Sequence, residues 1–227
     1  MIDAWEQLDA DVISCERCPR LREYCRQVAA TKRAAFADWE YWGRPVPGFG
    51  DHAGRLLFVG LAPAAHGANR TGRIFTGDVR GASEFLVPAL HRHGLANQPL
   101  SVSRGDGLRL FDCYVTAIVR CAPPENRPLP QEIANCRSYL VREIDLLRRL
   151  RVILALGASA FGGAIAALPS PPRGLLFAHG ASYQVGPYRL VSSYHPSRQN
   201  TQTGKLTSRM FDEALEEALR AVRADTA

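Results

Sequence analysis

An α/β fold, with a parallel or mostly parallel sheet covered by helices on both faces, is what this sequence predicts. Three observations carry that expectation. Four short segments, 56–59, 114–119, 152–156 and 189–193, are almost continuously apolar or β-branched, as strands buried on both faces are. Segments of helical periodicity separate them, and alternating strand and helix is the signature of βαβ units. The 227-residue chain is 46% hydrophobic, enough for a substantial core in one domain.

The first fifty residues stand apart from the alternation. They read as a helix broken at Pro19, an Ala-rich piece, and the aromatic and Gly/Pro-rich run 39–50. The expectation is an N-terminal arm (1–50) wrapped on a single domain that spans 1–227. The strand at 56–59 leads into a loop from Gly60 to Asp78 with neither helical nor strand periodicity. A loop of that length inside a compact domain is more often functional than filler. A helical pattern follows over 81–93. The second strand, 114–119, runs into the Pro-rich turn Arg120 to Pro128. A helix is predicted over 130–150, where Ile133, Leu140, Ile144 and Leu147 share a face. After the strand at 152–156, a further helix begins at Gly157 and ends before the prolines at 169–172. The last strand, 189–193, gives way to a polar loop, 197–204. The closing helix, 206–222, puts Phe211, Leu215 and Leu219 on one side.

No apolar run approaches the roughly 20 residues that span a bilayer. The start, Met-Ile-Asp-Ala-Trp-Glu, lacks the charged-then-apolar plan of a secretory signal. A cytosolic protein without a membrane partner is expected. The net charge of +6 and pI of about 9.2 favour a polyanionic partner. Of the 28 basic residues only Lys32 and Lys205 are lysine, a bias that a GC-rich genome also produces. Six cysteines in a cytosolic chain point to metal binding or core packing rather than disulfides. Cys15 and Cys18 form a Cys-x2-Cys pair. Cys121 follows the second strand and Cys136 lies in the first turns of the next helix. Four thiolates brought together there would suit zinc or an iron–sulfur cluster, and spacing does not separate the two. A redox pair of Cys15 and Cys18 alone lacks a thioredoxin-like setting. Cys25 and Cys113 read as buried packing residues.

Ligands of open α/β sheets bind at the carboxyl ends of the strands. His195 closes the last strand, as a reacting group or as an ordinary turn residue before Pro196. The polar loop behind it offers amides and hydroxyls to phosphates or base edges. Asp78 fits both a helix N-cap and a reacting carboxylate. Phe75, in a polar loop three residues from that carboxylate, fits a stacking platform. Asn126 offers one donor–acceptor edge or serves as a turn residue.

Together these segments resemble the uracil-DNA glycosylase superfamily, and within it family 5, the UDGb type. The matching motifs are Gly60 to Asp78, Val115 to Pro124 and Tyr194 to Gly204, and the resemblance extends from residue 15 to about residue 215. It implies a three-layer α/β/α sandwich with a central four-stranded parallel sheet. It implies that Cys15, Cys18, Cys121 and Cys136 hold a structural 4Fe–4S cluster that pins the arm. The implied activity is that of a monomeric, monofunctional DNA glycosylase, hydrolysing the N-glycosidic bond of deaminated bases in DNA to leave an abasic site. Asp78 would orient or deprotonate water, and His195 would hydrogen-bond the base oxygen. Phe75 would stack on the extruded base, with Gly60, Ala62 and Asn126 around it. Ser197, Arg198 and Gln199 would enter the DNA from the minor-groove side. Arg70, Arg73 and Lys205 would meet phosphates, and Gly72 and Gly77 would let backbone approach the nucleotide. Leu61, Ala62, Ala64 and Ala65 are apolar where other branches carry a polar residue, and Ala117 stands where family 4 carries Asn. Both departures predict a range broader than uracil, hypoxanthine included. The competing expectations are a family 4-like enzyme restricted to uracil, a non-catalytic iron–sulfur nucleic-acid binder, and a zinc-stabilised α/β hydrolase.

Overall fold

Successive strand residues alternate between two apolar cores, and that alternation sets the layers. The structure is a computed structural model describing residues 3–77 and 81–224. Leu57 and Val59 point to one face, where they share a core with Leu8, Leu21, Leu140 and Phe161. Leu56 and Phe58 point to the other, against Leu86, Leu90, Phe211 and Leu215. The strands are β1 (Phe49–Gly50), β2 (Leu56–Gly60), β3 (Cys113–Ala117), β4 (Val152–Leu156), β5 (Ser182–Val185) and β6 (Tyr188–Ser193). The helices are α1 (Ala4–Ile13), α2 (Pro19–Thr31), α3 (Ala68–Thr71), α4 (Ser83–Arg92), α5 (Pro130–Leu146), α6 (Ala158–Ala167), α7 (Arg198–Gln202) and α8 (Ser208–Ala224). Helices α1, α2, α5 and α6 cover the first face, α4 and α8 the second.

The sheet has six strands in the order β1-β3-β2-β4-β6-β5. Its four inner strands are parallel, as expected, with Gly60 opposite Ala117 and Leu156 opposite Ser193. Both edges are antiparallel additions that the sequence reading missed: β1 on β3 and β5 on β6. From β2 the chain steps to β3 on one side and then to β4 on the other. That reversal makes the carboxyl ends of β2 and β4 the topological switch point, where a crevice forms.

Pro19 corrects another expectation. It begins α2 at its first turn instead of breaking a helix, a position where its missing N–H costs nothing. Helix α5 starts in the same way, at Pro130, with the Glu132 carboxylate accepting from the Leu129 N–H at 2.7 Å. The polar loops also contain short helices, α3 and α7. The arm is fastened to α5 by polar contacts. Arg142 pairs with Asp11 at 2.7 Å, Arg20 with Glu132 at 2.7 Å, and the Tyr139 hydroxyl donates to the Asp11 carbonyl at 3.1 Å.

Candidate active site

A cleft of about 910 Å³ opens over the carboxyl ends of β2, β4 and β6. Its walls bring together Ala62, Phe75, Asn126, His195, Ser197, Arg198, Gln199 and Lys205, contributed by three separate stretches of chain. Gly60 lies behind that wall. A Cβ there would stand 2.8 Å from Phe75 Cζ, so glycine is what lets the ring lie across the end of β2. Phe75 is held in the left-handed region at φ +49, which is strained for a bulky residue. Glu125 and Asn126 share that conformation at φ 54 and 56, so strain gathers along the cleft. The Asn126 side chain is exposed at its rim.

His195 stands two residues past the end of β6. Its carbonyl accepts from Asn200 Nδ2 and from the Ser197 N–H, both at 2.8 Å. Ser197 in turn caps α7, accepting from the Asn200 N–H at 3.3 Å. Gly157, at φ +98, leaves room for the histidine: a Cβ there would lie 3.2 Å from His195 Cβ. The ring keeps some surface toward the cleft while protein encloses the rest. Burial lowers its pKa to about 4, so the imidazole is neutral at physiological pH. Arg198 and Gln199 project from α7 as exposed side chains, and the Lys205 ammonium lies 5.1 Å from the Tyr194 ring centroid.

Arg70 and Arg73 do not face the cleft, which corrects their reading as phosphate ligands. Arg70 is 2% exposed, its guanidinium 3.9 Å from the Phe36 ring centre and 4.0 Å from that of Trp39. It donates to the carbonyls of His66 at 2.8 Å and Gly77 at 2.7 Å. Arg73 is 4% exposed and donates to both Asp106 oxygens at 2.8 Å and to Ser101 Oγ at 3.0 Å. Each guanidinium binds the loop to another part of the chain. Gly72 and Gly77 likewise accommodate the protein's own side chains: a Cβ would meet Trp42 at 2.7 Å or Arg70 Nη2 at 2.6 Å. Asp78 lies outside the described residues.

The cleft also has a wall that no motif pointed to, lined by Tyr24, Arg33 and Phe36 of the arm. His66, inside the first motif but given no role there, lines it too. Nothing local in the sequence announces the arm residues, because they reach the cleft only through long-range packing.

Cys15, at the end of α1, is half-buried, and Cys18, Cys121 and Cys136 are buried. They are electrostatic neighbours: Cys18 feels Cys15 and Cys121, and Cys136 feels Cys121 and Cys18. Asn135 Nδ2 donates to Cys18 Sγ at 3.4 Å, and the Arg120 N–H donates to Cys136. Burial raises the Cys18 thiol and pushes Cys136 up to about 12. Cys25 is fully buried, as expected, and its thiol donates to the Ala122 carbonyl at 3.6 Å, beside Cys121. Among the described residues no three His, Cys, Asp or Glu side chains are grouped closely enough to hold a metal ion. Four neighbouring thiols drawn from the arm, the turn after β3 and α5 are the donor set that zinc or an iron–sulfur cluster takes.

Residues 47–219 match the uracil DNA glycosylase superfamily. The type-5 uracil-DNA glycosylase of Thermus thermophilus is 50% identical over 208 residues, covering 91% of this chain and 93% of the relative. That of Mycobacterium tuberculosis is 49% identical over 218 residues, covering 93% and 80%. The type-4 enzyme of Archaeoglobus fulgidus is 34% identical over 116 residues, 51% of this chain and 49% of its own. Likeness to type 5 runs through the arm and both halves of the sheet, whereas likeness to that type-4 enzyme covers half. The chain belongs to the uracil-DNA glycosylase superfamily, and within it to the type-5 group.

Proposed function

We propose that this protein is a monofunctional DNA glycosylase, working as a cytoplasmic monomer, that hydrolyses the N-glycosidic bond of uracil in DNA and leaves an abasic site. One observation carries the reading. An aromatic ring, an amide edge and a neutral imidazole line a single cleft at the sheet's switch point. That is the set of groups needed to receive one base and stabilise its departure. Extruding the base costs a few kcal/mol, least for a mispaired one. Phe75 stacks on it and Asn126 offers its amide to the base edge. The neutral His195 donates a hydrogen bond to the base oxygen on which charge grows as the bond to C1′ breaks. Asp78 favours the cationic sugar. Arg198 and Gln199 fill the gap left in the duplex, with Ser197 fixing their helix, and Arg198 and Lys205 meet phosphates.

Hypoxanthine is a substrate on this reading too. Ala62 and Ala64 line the cleft without polar atoms, and Ala117 closes β3 without an amide. None of them restricts the pocket to uracil. We also assign Cys15, Cys18, Cys121 and Cys136 as ligands of a 4Fe–4S cluster, whose contribution is structural. Base release from duplexes containing uracil or hypoxanthine tests both claims. Release of both is expected. Binding without release of uracil would mean a non-catalytic DNA binder, and release of uracil alone would remove the broader range.

A further inference from the structure

His66 is a titratable group inside the cleft for which the reaction above has no use. It is the one ionisable side chain in the stretch from Leu61 to Asn69, and it lines the cleft together with Ala62, Ala64 and Phe75. Its ring is fixed. Nδ1 lies 3.1 Å from the Tyr41 hydroxyl, and the two rings meet edge-on at 6.1 Å. Its backbone is fixed as well, since Arg70 Nε donates to its carbonyl at 2.8 Å and the Gly67 N–H donates to the Ala64 carbonyl at 3.2 Å. Tyr41, 8% exposed, belongs to the arm. With Nδ1 committed to Tyr41, Nε2 is the nitrogen left for the cleft, and a second group that fixes the tautomer is how an imidazole is prepared for proton transfer.

We propose that His66, oriented by Tyr41, receives the proton of the attacking water. The inference rests on the glycosylase reading. The water oxygen bonds to C1′ while the bond from C1′ to the base nitrogen breaks, and its electron pair leaves with the base. One water proton passes to His66 Nε2 while Nδ1–H donates to the Tyr41 oxygen. The imidazolium then returns the proton to solvent or to the departing base anion. Asp78, which the resemblance would let orient or deprotonate the water, is left its action on the cationic sugar. A His66→Ala enzyme unchanged at saturation would return the water to Asp78. The other ionisable groups of the cleft are less suited. His195 faces the base side of the bond as a hydrogen-bond donor, and Glu125 is 79% exposed at the rim beside Arg127. Burial first, then the charges of Arg33 and Arg70, lower the His66 pKa, which keeps the ring unprotonated at neutral pH and able to accept.

Single-turnover uracil release at saturating enzyme, followed from pH 5 to pH 9, tests this. His66→Ala should slow release about 100-fold with DNA affinity unchanged, and should abolish the acid limb of the pH profile. His66→Gln, which hydrogen-bonds but cannot take the proton, should rescue little. Tyr41→Phe should cost about tenfold, the worth of one orienting hydrogen bond, and keeps the test alive if His66→Ala does not fold. A His66→Ala enzyme that matches wild type at saturation, that loses only affinity, or that keeps its acid limb overturns the proposal. Wild-type protein that releases no uracil overturns the glycosylase reading itself, and this step with it.

Discussion

His195 is the residue whose protonation the fold controls most directly. An imidazole with an ordinary pKa of 6.5 is held at about 4 by burial, so between those values the unfolded chain binds a proton that the native chain refuses. Stability from this residue is present above pH 6.5 and is lost as pH falls toward 4. Asp9 has the opposite sign: burial and the Glu143 charge raise its pKa to about 6. Comparing wild type with His195→Gln cancels Asp9 and isolates the histidine. Denaturant unfolding at pH 7 and pH 4.5 should show wild type losing roughly 2 kcal/mol more than the variant, a little under the full shift because the ring is partly open to the cleft. Equal losses would mean that the imidazole is not held neutral. His195→Ala should also slow base release about 100-fold or more, the cost of removing one hydrogen bond to a developing anion.

Between β2 and α4, local side-chain chemistry builds a loop whose pattern alone reads as irregular. Arg73 shows why. It joins the loop to residues 101–106 through Asp106, whose carboxyl is held below its usual range by Arg73 and by the N–H groups of Leu108, Val102 and Ser103, against the opposing effect of burial. Removing one partner of a buried ion pair leaves the other uncompensated and costs about 3 kcal/mol or more. Arg73→Gln should therefore lower unfolding stability by about that amount while leaving the salt dependence of DNA binding unchanged. A phosphate ligand would do the reverse, reducing the slope of log K against log salt by about 1. The inner strands were legible because burial on both faces makes them continuously apolar, and the long helices because burial on one face imposes a period, as Phe211, Leu215 and Val222 do on α8. β1 has two residues and α3 four, too few to show any period. The cleft residues Phe75 and His195 were legible because they stand in long motifs that follow strands, and Asn126 because it lies in the Pro-rich turn after β3. Arg70 was not, because its aromatic partners, Phe36 and Trp39, lie in the arm and residue type does not reveal burial.

At the scale of the whole molecule, the arm is fastened by apolar packing and ion pairs, to which the proposed cluster would add a second level. Trp5, Leu8, Val12 and Leu21 are buried in the same core as Leu57 and Tyr139, and the ion pairs from Asp11 and Arg20 to α5 add polar anchors. The four assigned cysteines join the end of α1 and the start of α2 to the segment after β3 and to α5. Tyr24, Arg33, Phe36 and Tyr41 lie farther along the arm, at or behind the cleft wall, so loosening it acts on the site from a distance. If those thiols hold a cluster, the purified protein should be brown, and removing the iron with a chelator and oxidant should leave the sheet largely intact, since its inner strands are buried by α4, α6 and α8. Far-UV circular dichroism should change little, while amide exchange in α1 and α2 should accelerate, local opening being easiest where fewest tertiary contacts remain. Uracil release should weaken both through DNA affinity, because the arm wall is lost, and in the chemical step, because Tyr41 no longer orients His66, while Phe75 and His195 stay on the sheet side. Unchanged exchange in the arm after complete iron loss would mean that apolar packing and the α5 ion pairs hold it without the cluster, and the structural assignment would fail.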